Sequence, residues 1–150
     1  MKKYLVLLSL FVLVSCAGTG GDASYETLED GTVVEQDIQE VNVSDRVYFA
    51  LDRSDISREA AEVLNKQAEW LKSDKNIRIT VEGHCDERGT REYNLALGER
   101  RANSVKTYLV GKGVSKARIK TMSYGKERPT VTGTGEAVWS KNRTAITVAD

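Results

Sequence analysis

Ile77-Arg78-Ile79-Thr80-Val81-Glu82-Gly83-His84-Cys85-Asp86-Glu87-Arg88-Gly89-Thr90-Arg91 is where the pattern of this 150-residue chain changes period. Ile77, Ile79 and Val81 alternate with Arg78, Thr80 and Glu82, the mark of a half-buried strand. Gly83 to Gly89 reads as a polar loop leaving the strand end. From about Glu92 to Lys112 the apolar spacing becomes helical, with Gly98, Ala102, Val105 and Leu109 on one stripe and Gly111/Gly113 as the stop. A strand, a polar loop and a long helix in that order announce a unit in which a helix crosses back over a sheet.

The same reading extends outward. Val47-Tyr48-Phe49 is a short strand. Ser57 can cap a helix whose stripe is Ala60, Leu64, Ala68 and Leu71, with Asn76 ending the stretch. Ile119 to Tyr124 is a strand, Gly125 to Gly135 a loop, Glu136 to Asn142 a short helix or turn. Thr144 to Val148 closes the chain, with Ile146 and Val148 alternating. The order β-α-β-α-β-(α)-β predicts an α+β two-layer sandwich with helices packed on one face of a mixed sheet.

Composition agrees. Hydrophobic residues are 40% and charged residues 29%, which excludes both a multi-span membrane protein and a wholly disordered chain. The formal charge is zero, yet residues 17–45 hold eight acids and no Lys or Arg, while residues 46–150 hold 20 basic and 14 acidic groups. Gly18, Gly20, Gly21 and Gly31 without apolar periodicity make residues 16–45 a flexible acidic linker ahead of a domain at 46–150. The basic groups of the domain are scattered, so nucleic acid is not an expected partner.

Lys2 and Lys3 precede an apolar run of 11 residues, Tyr4 to Val14, whereas a membrane-spanning helix needs about 20. Residues 1–15 therefore read as a secretory signal peptide. Leu13-Val14-Ser15-Cys16 resembles the bacterial lipobox, which implies lipidation of Cys16. Each buried CH₂ contributes ~0.8 kcal/mol, so several acyl chains would anchor the chain without a spanning helix. Cys85 then has no intramolecular partner. With one histidine, His84, a zinc site is not expected, nor is any other metal or cofactor.

The densest polar cluster, Glu82 to Arg91, could suggest an envelope hydrolase with His84 as base and Cys85 as nucleophile. Neighbours on a strand point to opposite faces, and no third orienting group is evident, so enzymatic activity is not expected. Helix geometry is more informative. At about 100° per residue, Arg101 and Asn94 flank the apolar stripe and Arg100 lies nearly opposite it. Arg100 is expected in solvent and Arg101 over the core edge, where a buried guanidinium wants a carboxylate partner. A purely structural Arg–Asp pair would satisfy it as well.

Four ordered blocks carry a resemblance: Val47 to Ile56, Glu82 to Ala102, Ser123 to Pro129, and Ser140-Lys141-Asn142-Arg143. Over about residues 46–148 the chain resembles the OmpA-like peptidoglycan-binding domain family. The resemblance implies a non-covalent grip on the meso-diaminopimelate of the peptidoglycan stem peptide. The key aspartate falls on Asp86 and the key arginine on Arg101, with further contacts at Asp52, Arg88, Asn94 and Leu97. Arg101 would offer a planar fork to the ligand carboxylate, and Asp86, on a loop rather than in a packed stripe, would accept from its ammonium. The resemblance further implies an outer-membrane lipoprotein, held in outer-membrane lipid through acylated Cys16. Its domain would face the periplasm, with a periplasmic protein of the Tol envelope system as partner during division. Leu51 and Trp139 depart from the usual pattern, with Leu51 where a phenyl ring is common and Trp139 where a tyrosine is.

Overall fold

The computed structural model describes residues 43–150; the expected signal segment, Cys16 and the linker up to residue 42 lie outside the described residues. The elements run β1 (Arg46–Tyr48), α1 (Arg58–Ser73), β2 (Ile79–His84), α2 (Arg91–Gly111), a 3₁₀ turn (Lys116–Arg118), β3 (Ile119–Gly125), α3 (Glu136–Asn142) and β4 (Thr144–Ala149). The sheet order is β1-β4-β2-β3. β4 is antiparallel to both β1 and β2, and β2 is parallel to β3. This is the expected α+β two-layer arrangement. Among the described residues no helix is long and apolar enough to cross a membrane.

Local chemistry sets the helix starts. The Ser57 hydroxyl accepts from the amide of Ala60 at 3.1 Å, and Thr90 accepts from Tyr93 at 3.2 Å. α1 buries Ala60, Leu64, Ala68 and Leu71 as the stripe requires, and it ends at Ser73, three residues before Asn76. Gln67 joins the stripe. Its amide donates to the Ser44 carbonyl at 2.7 Å and its carbonyl accepts from Thr147 Oγ1 at 2.8 Å, tying α1 to both edges of the β1–β4 pair. α2 ends where Gly113 turns into the left-handed region (φ 95°), letting Val114 N reach back to the Leu109 carbonyl. The core is Val47, Ile79, Val81, Ile119 and Ala145 of the sheet against Leu64, Leu71, Val105 and Leu109 of the helices.

Two boundaries differ from the sequence reading. β2 continues through Gly83 and His84 instead of stopping at Glu82, because Gly83 pairs with both Ala145 and Ser123. The glycine marks a close approach, not a loop. A Cβ on Gly83 would lie 1.8 Å from the carbonyl oxygen of Gly98, and a Cβ on Gly98 would lie 2.3 Å from Ser123 Oγ. The two glycines let α2 sit directly on the β2 backbone. On β4 the inward residue is Ala145; Val148 is 41% exposed on the sheet face opposite the helices.

β1, β2 and β3 all run the same way, so their carboxyl ends share one edge of the sheet. The segments 50–57, 85–90 and 126–135 gather there, and β4 starts from there with Arg143. Ligand sites in sheets with parallel strands favour this edge.

Candidate functional site

At that edge the segment 85–90 is braced from three elements. Asn94 of α2 donates both amide hydrogens, to the carbonyls of Arg88 (2.7 Å) and Thr90 (2.9 Å). Lys126, beyond β3, donates to the carbonyls of Glu87 and Gly89. Trp139 of α3 donates its indole hydrogen to Glu87 Oε1 at 2.8 Å. Gly89 takes φ 87°, a conformation that other residues rarely adopt.

These braces hold Asp86 in place. Despite its loop position Asp86 is buried, at 5% exposure. Its Oδ1 accepts from the backbone and Nε of Arg88, both at 3.1 Å, and its Oδ2 accepts from Arg88 Nη2 at 2.7 Å. Arg143 Nη1 approaches the same Oδ2 at 3.4 Å. Burial pushes the Asp86 carboxyl up, but the hydrogen bonds of Arg88, with the help of Arg143, outweigh it and hold the group below the usual carboxylate range. The stability this contributes is present above the ordinary carboxylate range and is lost as pH falls through the depressed folded value. Glu136, at the start of α3, pairs with Arg143 Nη2 and lies 3.9 Å from Arg88 Nη2. Asp86, Arg88, Glu136 and Arg143 thus close a ring of alternating charge, and the Arg88 guanidinium lies 4.2 Å over the Trp139 ring.

Arg101 is on the predicted side of α2 but deeper than predicted, with no exposure at all, while Arg100 is exposed. The expected carboxylate partner is absent: Asp86 goes to Arg88 and Arg143. Arg101 donates instead to three backbone carbonyls, Arg53 (2.9 Å), His84 (2.8 Å) and Ala50 (3.2 Å). Its guanidinium carbon is 5.2 Å from the Phe49 ring, and burial lowers its pKa. One side chain therefore clips the segment after β1 to the end of β2. Asp52, in the clipped segment, is exposed and adopts φ 55°, a left-handed conformation that aspartate tolerates better than most residues.

Of the six candidates, Asp86 and Arg88 meet directly. Asp52 lies in the segment that Arg101 clips. Asn94 and Leu97 are buried at 2% and 3% exposure as the support beneath. Sequence reasoning missed Arg143 and Glu136 as members of the cluster. The available signal was Arg143 itself, a charge opening an otherwise uncharged strand, which a buried site must neutralise.

His84 and Cys85 are not arranged as a nucleophile and base. The Cys85 thiol is buried, donates to the Asn94 carbonyl at 3.3 Å, and is pushed up in pKa by burial. His84 Nδ1 bonds the Arg128 carbonyl at 2.9 Å, which makes Nδ1 the protonated nitrogen, and burial lowers the ring's pKa. A wider surface groove of about 570 Å³ runs along Ser54, Ile56, Arg100, Thr107 and Tyr108. It offers one cation and no carboxylate.

Residues 48–143 match the OmpA family. A protein of Mesorhizobium japonicum named peptidoglycan-associated lipoprotein is 53% identical over 107 residues, covering 71% of this chain and 64% of that relative's length. A protein of the same name from Haemophilus influenzae is 41% identical over 152 residues, covering 97% of this chain and 95% of the relative. The crystal structure of the peptidoglycan-associated lipoprotein from Burkholderia pseudomallei superposes with a TM-score of 0.72 at 38% identity, covering 77% of this chain and 98% of that one. The C-terminal domain of Helicobacter pylori MotB shares the fold at a TM-score of 0.66 and 20% identity. A β-α-β-α-β-α-β domain that matches the OmpA family over residues 48–143, with relatives at 41% and 53% identity, belongs to the OmpA family.

Proposed function

We propose that this chain is an outer-membrane lipoprotein whose domain binds the peptide stem of peptidoglycan at meso-diaminopimelate, tethering the outer membrane to the cell wall. The observation that carries the reading is the convergence of Asp52, Asp86, Arg88, Arg101 and Arg143 at one edge of the sheet. A carboxylate and several guanidiniums within one small site match a ligand that presents an ammonium and a carboxylate together. Asp86 accepts the ammonium. Arg101, buried without solvent exposure, contributes positive charge beneath the ligand's carboxylate through the field of its guanidinium. The names of the relatives, peptidoglycan-associated lipoprotein, support the same ligand. In this reading the domain works in the periplasm with a Tol-system partner during division.

The test is a titration with a diaminopimelate-containing muropeptide, read beside thermal unfolding of the same sample. Asp86→Ala is expected to weaken binding roughly 30-fold or more, since truncating one half of a desolvated charge pair costs about 2–5 kcal/mol. It is also expected to lower stability, because Arg143 is buried and keeps Glu136 as its one carboxylate partner beside the Phe49 carbonyl. A folded Asp86→Ala protein that bound with wild-type affinity would sink the proposal.

The anchor is tested separately. Cys16→Ser is expected to leave the chain unprocessed or soluble and without incorporated palmitate in metabolic labelling. Label entering the variant at the wild-type level would refute acylation at Cys16.

A further inference from the structure

The carboxylate that would receive the ligand's ammonium is already taken. Both Asp86 oxygens accept from Arg88, the Asp86 side chain is 6% exposed, and Arg88, at 35%, is the part of the pair that faces solvent. An ammonium therefore reaches Asp86 only after the Arg88 fork moves off it. The structure also supplies a place for that fork to go. Glu136 Oε2 stands 3.9 Å from Arg88 Nη2, and the Trp139 ring, 4.2 Å away, offers a flat face along which a guanidinium can turn without leaving its contact.

We propose that Arg88 is a resident cation occupying the ammonium site of Asp86, and that Glu136 receives Arg88 when the ligand displaces it. The inference rests on the reading of Asp86 as the acceptor for the ligand's ammonium. Arg88 and Glu136 then determine specificity. A ligand must outcompete a tethered guanidinium for Asp86, so a weakly placed cation is rejected while a well-placed ammonium with a neighbouring carboxylate is admitted. The resident cation reduces the fraction of domains competent to bind, and apparent affinity falls by that fraction. Glu136 recovers part of the loss by keeping the displaced Arg88 paired.

This assigns Arg88 the opposite sign from a direct ligand contact. It also gives Glu136 an effect that passes through Arg88 and not through its other partner, Arg143. Titration of the full chain with a meso-diaminopimelate-containing muropeptide separates these roles. Arg88→Ala is expected to bind about three- to tenfold more tightly than wild type, the span covered by losing one partly exposed ion pair. Arg88→Gln, which keeps a planar polar end but removes the charge, is expected to shift in the same direction. Glu136→Gln is expected to bind roughly threefold more weakly in the wild-type background and to have no effect in the Arg88→Ala background. A Glu136→Gln loss of equal size in both backgrounds overturns the receiving role, because it then runs through Arg143. Weaker binding by Arg88→Ala and Arg88→Gln, with wild type binding normally, overturns the inference alone. A wild-type chain that fails to bind the muropeptide overturns instead the reading on which it rests.

Discussion

Arg101→Ala is expected to destabilise the domain by at least about 3 kcal/mol, while its neighbour Arg100→Ala stays within about 0.5 kcal/mol of wild type. The two differ in what they leave behind. Removing the Arg101 side chain takes a donor from the carbonyls of Arg53 and His84, leaves the Ala50 carbonyl only the Arg53 amide at 3.2 Å, and opens a void at a position with no solvent exposure. Losing this donor at the buried His84 carbonyl costs about 1–3 kcal/mol, and emptying a fully buried side-chain position adds about 2 kcal/mol or more. Arg100 is exposed, and its one visible contact is a guanidinium 5.9 Å from the Tyr93 ring. For a domain of this size, 3 kcal/mol corresponds to a fall of roughly 12–24 °C in Tm. Arg101→Lys keeps the charge but not the planar fork, and is expected to recover only part of the loss. Thermal unfolding of the three variants beside wild type decides the matter. Similar Tm values for Arg100→Ala and Arg101→Ala would mean that the clip does not carry the load assigned to it.

Gly83→Ala is expected to be as damaging, for a reason of space alone. The added methyl would lie 1.8 Å from the Gly98 carbonyl oxygen and 2.5 Å from its carbon, so the obstacle is backbone and cannot rotate away. α2 would have to lift off β2, and in lifting it would pull Arg101 from the carbonyl of His84, the residue next to Gly83. Overpacking costs about 1–3 kcal/mol even where side chains can adjust, and here neither side can. Out of a total stability of about 5–15 kcal/mol, a loss of ~3 kcal/mol or more should be plain in urea unfolding. Gly111→Ala is the control. A methyl there meets nothing within 4 Å, and the position is helical, so stability should rise by about 0.5 kcal/mol. A Gly83→Ala chain with wild-type midpoint would show that the helix–strand contact is looser than described.

The helices were legible in the sequence because burial on a helix is periodic. The stripes of α1 and α2 follow from spacing, and so does the difference between Arg100 and Arg101. A helical wheel gives direction, however, and not depth or partner. The partners of Arg101 lie 48, 17 and 51 residues away and are backbone carbonyls, which carry no side-chain signal. For the same reason Asp86 could be singled out but not its pairing with Arg143, 57 residues distant. Gly83 misled locally. Glycine usually punctuates a strand, and only the position of α2 reveals that here it permits contact. The fold was set out by patterns within elements, whereas the charge ring depends on which loops the sheet topology brings to one edge.

β1 enters the sheet at Arg46, at the end remote from the charged cluster, and leaves it directly into that cluster through Phe49. Its antiparallel partner β4 begins at the cluster, where Arg143 and Phe49 exchange hydrogen bonds at 2.8 and 3.1 Å. A tensile force applied between residue 43 and anything held at Asp86 would therefore pull β1 and β4 along their axes in opposite directions. Ladder bonds stand perpendicular to the strands, so such a force loads them together in shear and does not peel them one at a time. Tension of the opposite geometry, drawing β1 sideways off the sheet edge, would meet a strand of only three residues. The domain resists tension better along one axis than across it, and that axis runs from residue 43 to the charged edge.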